Sequence, residues 1–225
     1  ISLLNLIIFN VVSVIVALVL NFLAIGLPLN NKTTAELSDA YPNFFVPAGF
    51  TFSIWGIIYL FMIGFMVYQA WQYRSRKNET NEVIKGMGIW FLISGLANAF
   101  WIIAWHYEQV LLSVIIMGAI LYSLIQIYHT LQDSRPHSFQ DNIFIFLLFS
   151  VYLGWISVAT IANITTALVS LGWSGGALDG STWAIIMIAV ATVLGILMIF
   201  KKQDIAYALV IVWALFGIYT KQSLD

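Results

Sequence analysis

Residues 47–73 read PAGFTFSIWGIIYLFMIGFMVYQAWQY, and this stretch decides the fold. No Asp, Glu, Lys or Arg occurs from Phe44 to Tyr73, and about 20 consecutive apolar residues suffice for a helix to cross a bilayer. The helix is entered through Pro47. Phe52, Trp55, Tyr59, Met62 and Met66 recur at steps of three and four residues, so a helix stacks them one above another on a single aromatic face.

The rest of the chain has the same character. Hydrophobic residues make up 61% and charged residues 8%, and mean hydropathy is +0.94, values outside the range of soluble globular domains. Backbone groups in lipid must bond internally, and continuous rather than alternating apolar runs choose a helical bundle over a barrel. A formal net charge of -1, with few basic residues confined to loops, carries no signal of nucleic-acid binding. Cysteine is absent, which excludes disulfides and thiolate metal sites.

Seven spans are expected, at residues 1–29, 47–73, 86–107, 110–131, 143–173, 182–200 and 205–220, giving an all-α polytopic membrane bundle. The first residue is Ile1 rather than Met, so residues preceding it are expected. The first run is uncharged and long, which reads as a membrane helix and not a signal peptide. Loop 30–49 is polar at Lys32, Glu36 and Asp39, then aromatic at Tyr41, Phe44 and Phe45, and is expected to lie on or dip into the membrane surface. The short break at Glu108 and Gln109 makes the third and fourth helices antiparallel neighbours. Run 143–173 exceeds a bilayer's thickness and should tilt or project. Loop 174–180 is glycine-rich. Seven Lys and Arg (Arg74, Arg76, Lys77, Lys85, Arg135, Lys201, Lys202) fall on one side of this topology and two (Lys32, Lys221) on the other. The asymmetry puts the N-terminus in the cytoplasm, and the long first loop and C-terminus outside. The expected location is the prokaryotic cell (inner) membrane.

Ion-coupled transporters and pumps place ionisable groups inside the membrane, yet no carboxylate, Lys or Arg falls within an expected span. A retinal protein would need a lysine midway along a helix, and none is there. His106 and His129 stand near helix ends and His137 in a loop, as interfacial histidines or, alternatively, haem or metal ligands. Polar atoms inside the bundle come instead from Asn98, Asn163, Thr160, Thr165, Thr166, Ser94 and Gln126. On the third helix Asn98, Trp101 and Trp105 share a side. On the fifth Tyr152, Trp155, Ala159 and Asn163 do the same, with a small residue between ring and amide. Converging rings, space at an alanine and neutral donors describe a site for a large, flat, apolar ligand with a few polar groups. A plainer reading competes, since interfacial Trp and Tyr belts and amide or small-residue helix contacts are common. Trp71, Trp105, Trp173, Trp183 and Tyr219, near expected helix ends, are assigned to the belt.

In order and spacing, Pro47, Phe52, Trp55, Tyr59 and Gly64, then Asn98 with Trp101, then Tyr152, Trp155, Ala159 and Asn163, resemble the TspO/MBR family. These are the tryptophan-rich sensory proteins related to the mitochondrial translocator protein. The resemblance covers roughly residues 30–166. It departs from the family in Val151 before Tyr152, in a single Pro47, and in two helices beyond the family's five. It therefore implies a five-helix core at 1–173, with two additional helices at 174–225.

The resemblance further implies a pocket closed by the first loop that takes porphyrins, haem-like tetrapyrroles, sterols or other hydrophobic molecules. Trp55, Asn98, Trp101, Trp155 and Ala159 would form its wall, with Phe52, Tyr59, Tyr152 and Asn163 in support. It implies a porphyrin or haem as ligand with no required cofactor, and a homodimer in the bilayer. The leading expectation is a membrane receptor or carrier for such a ligand. A seven-helix solute transporter is the first alternative, though the first and last three helices show no internal repeat. Light-dependent porphyrin breakdown, known in the family, is the second. For ordinary acid–base or nucleophilic catalysis the only candidates, Asp39, His106 and Glu108, are expected at surfaces.

Overall fold

The protein was analysed as a computed structural model that describes residues 1–27, 29–75, 78–134, 138–173 and 179–224. Arg76, Lys77, Arg135, His137 and the glycine-rich stretch 174–178 lie outside the described residues.

Among the described residues the regular structure is entirely helical. Helix α1 runs Leu3–Gly26, and the first loop holds a short helix α2, Thr34–Asp39. This helix begins with a capping box: the Glu36 N–H donates to Thr33 Oγ1, and the Thr33 N–H donates to Glu36 Oε2 at 2.7 Å, which satisfies donors that a first turn otherwise leaves open. A 3₁₀ turn, Gly49–Ser53, leads into α3, Ile54–Arg74. Phe52 therefore sits in the turn rather than on the long helix.

The third expected span is broken. Helix α4, Asn78–Met87, takes up the connection expected at 78–85 and the first two residues of the expected span, and α5 follows at Trp90–His106 after a 50° bend. Gly88 makes the break with φ +55°, the left-handed conformation in which glycine ends helices without steric cost. Helix α6 spans Val110–Asp133. Helix α7, Phe139–Asp141, continues through a π turn at Asn142–Leu147 into α8, Leu148–Ser170. Together these make an apolar span of 32 residues, matching the expected overlength run. Last come α9, Gly180–Lys202, and α10, Ile205–Leu224. Helix α10 has 20 residues and runs four past the expected end at 220. Among the described residues six helices are long and apolar enough to cross a membrane, and the bent α4–α5 pair makes a seventh.

Helices α5, α6 and α8 form the centre. Phe65, Phe91 and Phe149 meet edge to face with centroids 5.1–5.7 Å apart, all fully buried. Helix α1 is fixed by amides: Asn10 Nδ2 donates to Gln69 Oε1 at 3.2 Å, and Asn21 Nδ2 to Asn98 Oδ1 at 2.9 Å. Such bonds hold helices together where lipid supplies no hydrophobic drive. Helix α9 is the most peripheral, burying only Ala184, Ala191 and Gly195.

Helix α10 belongs to the core. Tyr207, Val210, Ile211, Ala214 and Ile218 join the same buried cluster as Trp55 and Trp155. Its C-terminal half docks on the turn before α3, where the Ala48 N–H donates to Gly217 O at 3.0 Å and Trp213 Nε1 to Thr51 O at 3.0 Å. Gly217 permits the crossing, because a Cβ there would overlap the Thr51 hydroxyl.

Candidate ligand site

A cavity lies under α2, between α3, α5, α8 and α10. Its lining includes Phe52, Trp55, Trp101, Trp105, Trp155, Ala159 and Asn163, with Thr34, Ser38, Phe45 and Pro47 from the first loop and Ala214 and Ile218 from α10. Among the described residues no ionisable side chain lines it. The rings form a continuous run. Trp105 stacks on Trp101 at 5.7 Å, Trp101 lies 6.1 Å from Trp55, and Trp55 meets Trp155 edge-on at 6.2 Å. Phe52 closes the run at 6.0 Å from Trp155.

The indole N–H groups differ in what they do. Trp101 Nε1 donates to Asn163 Oδ1 at 3.0 Å, and Trp105 Nε1 donates to Thr34 O at 3.4 Å. Trp155 Nε1 is buried and has no acceptor among the described residues. A buried donor left open costs about 1–3 kcal/mol. Behind Trp55, on the side away from the cavity, the Tyr59 and Tyr152 hydroxyls face the Asn98 amide. Neither hydroxyl, nor Asn98 Nδ2, makes a hydrogen bond of good geometry.

The first loop covers the cavity as a lid, fastened at its edges. Lys32 Nζ reaches Glu108 Oε1 at 2.6 Å, Tyr41 donates to Glu108 Oε2 at 3.4 Å, and Lys221 pairs with Asp39 at 3.3 Å. The hydrogen bond from Lys32 holds the Glu108 carboxyl below the usual range, and the same bond raises Lys32. His106 anchors the base of the lid. Its Nδ1 meets Leu29 O at 3.1 Å and its Nε2 meets the Thr34 hydroxyl at 3.2 Å, a pattern that fits a neutral ring donating from Nδ1. Both nitrogens are used, which leaves no free position for a haem iron.

A family model described as TSPO-like protein matches residues 7–225. The chain belongs to the TSPO-like family. The matched range includes α9 and α10. Nothing among curated proteins or solved structures matches the chain.

Of the nine residues singled out in this TSPO-like chain, Phe52, Trp55, Trp101, Trp155, Ala159 and Asn163 line the cavity. Tyr59, Asn98 and Tyr152 do not. Asn98, expected in the wall, instead accepts from Asn21 on α1. Asn163 accepts from Trp101 and donates to Ser113 Oγ at 2.9 Å, so its amide is spent in joining α5, α6 and α8. Trp105, assigned above to the interfacial belt, is buried and lines the cavity. His106, expected at the surface, is fully buried. Both corrections have one cause, since the lid folds over the C-terminal end of α5 and covers it. The spacing of Trp101 and Trp105, one turn apart on the same face, was the available signal for Trp105. Sequence reasoning also missed Ala214 and Ile218, because small and aliphatic residues on a distant helix carry no local sign of what they face.

Proposed function

We propose that this membrane protein of the TspO type is a receptor or carrier for a flat hydrophobic ligand, a tetrapyrrole or a sterol-like molecule. In this reading the ligand is held against the Trp55, Trp101 and Trp155 rings beneath the α2 lid. The observation that carries the reading is the unpartnered N–H of Trp155, a residue that lines an uncharged, indole-rich cavity: an acceptor on a ligand that reached it would remove its cost, while the rings supply area and orientation.

The closed cavity has a volume of about 40 Å³, whereas pockets for drug-sized ligands run to roughly 300–1,000 Å³. As it stands it does not fit a tetrapyrrole. A ligand of that size enters only with the lid displaced, and the lid's exposed ion pairs are weak fastenings. The segregation of Arg74, Lys85, Lys201 and Lys202 at one end of the bundle supports an orientation with that end cytoplasmic and the lid outside.

The test is titration of the purified protein with protoporphyrin, following tryptophan quenching in wild type, Trp55→Phe and Trp155→Phe. Saturable quenching that weakens in both variants is the expected outcome. Unsaturable quenching, identical in all three, would signal partitioning into detergent and overturn the assignment.

A further inference from the structure

At the end of the bundle opposite the lid lies a second recess, a groove of about 800 Å³ that shares no lining residue with the aromatic cavity. Its three sides are the last turn of α6, the π turn at the start of α8, and the α9–α10 connection. π turns are rare and recur at functional sites, because the extra residue widens the helix locally. Here the π turn supplies Asn142 at the mouth and Phe146 and Leu147 along the wall.

The chemistry of the groove is divided. Its mouth carries the Lys202 ammonium with the Gln132 and Asn142 amides, while the Ser134 hydroxyl, also in the lining, donates to Thr130 O at 3.0 Å, and Lys201 is exposed in the next position. Asp204 also lines the groove, but its carboxylate is turned into the protein: Oδ1 accepts the Tyr207 N–H at 2.9 Å and Oδ2 accepts the Tyr128 hydroxyl at 2.8 Å. Exposed Asp133 is not among the lining residues. Phe146, Leu147 and Ile205 supply the apolar part of the lining, beside Ser150 and Gln203. This order, cation and hydrogen-bond donors at the helix ends and apolar side chains toward the membrane interior, matches an amphiphile at the depth of the lipid phosphates.

We propose that this groove binds the headgroup of an anionic phospholipid, with its phosphate on Lys202 and Asn142 and an acyl chain along Phe146 and Leu147. Basic recesses between transmembrane helices at a membrane surface recognise such headgroups by charge and hydrogen bonding. Free phosphate could use only the mouth, leaving the apolar wall uncovered, so the lipid is the occupant that the whole groove fits.

The experiment is native mass spectrometry of the full chain in a neutral detergent, titrated with dioleoylphosphatidylglycerol, with dioleoylphosphatidylcholine, and with the former plus inorganic phosphate. The anionic lipid should saturate one site at lower concentration than the zwitterionic one, with inorganic phosphate displacing neither. Lys202→Gln and Asn142→Asp should each weaken that site about fivefold, the worth of one interfacial charge. Lys221→Gln, at the other end, should not. Equal retention of the two lipids, wild-type binding in both groove variants, or displacement by millimolar inorganic phosphate would each overturn the proposal.

Discussion

Replacing Gly217 by alanine tests whether α10 is a structural wall of the aromatic cavity. A Cβ at this position would overlap Thr51 Oγ1 and stand 2.8 Å from its Cγ2 and 2.9 Å from its Cβ. Thr51 is fully buried, so it cannot swing aside and the helix must shift. Overpacking of this kind costs about 1–3 kcal/mol. The shift also strains two hydrogen bonds, Ala48 N–H to Gly217 O and Trp213 Nε1 to Thr51 O, each worth about 1 kcal/mol. Alanine returns about 1 kcal/mol through its better helix propensity. The net loss is roughly 2–4 kcal/mol, and at about 2–4 °C per kcal/mol for a chain of this size the Tm should fall by about 10 °C.

Thermal unfolding in detergent, followed by circular dichroism, measures that fall. Thr51→Ala removes the overlapping hydroxyl, whose oxygen has no partner, so alone it should change Tm little and in combination it should recover part of the loss. Coupling of that sign is what a double-mutant cycle reports for residues in contact. A Gly217→Ala Tm within about 1 °C of wild type, or no recovery in the double variant, would refute this packing argument.

Three further outcomes are expected. Asn163→Ala leaves the buried Trp101 N–H without its acceptor and should destabilise by roughly 2–4 kcal/mol, measured by the same unfolding assay; a loss under about 1 kcal/mol would contradict the Trp101–Asn163–Ser113 network. Trp155→Phe deletes a donor that has no partner among the described residues together with part of a buried ring, so unliganded stability should fall by no more than about 2 kcal/mol while porphyrin quenching weakens, and a loss above about 3 kcal/mol would instead mark the indole as structural. The lid's edge should depend on pH and salt. Glu108 has its pKa lowered, so its share is full above the ordinary carboxylate value of 4.5 and is lost as pH falls through the folded value. Lys32 is raised, so its share is full below the ordinary 10.5 and is lost at higher pH. Hydrogen exchange of the α2 amides, corrected for intrinsic rates, should therefore rise a few-fold in acid or in about 1 M salt. Glu108→Gln should reproduce the rise at neutral pH, and unchanged exchange in that variant would show that the pair does not fasten the lid.

The sequence by itself determined the solvent and the architecture. Uncharged runs such as 47–73 leave backbone polar groups no partner in lipid except those within a helix, so helical class and spans follow from composition and length alone. Helical spacing put Trp101 and Trp155 each on one face with a polar neighbour, while the grouping of Trp55, Trp101 and Trp155 into one wall came from the family resemblance and not from periodicity. Periodicity assigns a residue to a face of its own helix but does not say which other helix that face meets. Asn98 and Trp105 show the limit, one turning toward α1 and the other covered by the lid, as partners distant in sequence dictated. The docking of α10 through Gly217 and the burial of His106 beneath the first loop were likewise decided by tertiary structure. Each depends on two segments competing for the same space, and excluded volume between distant segments is not written in either one.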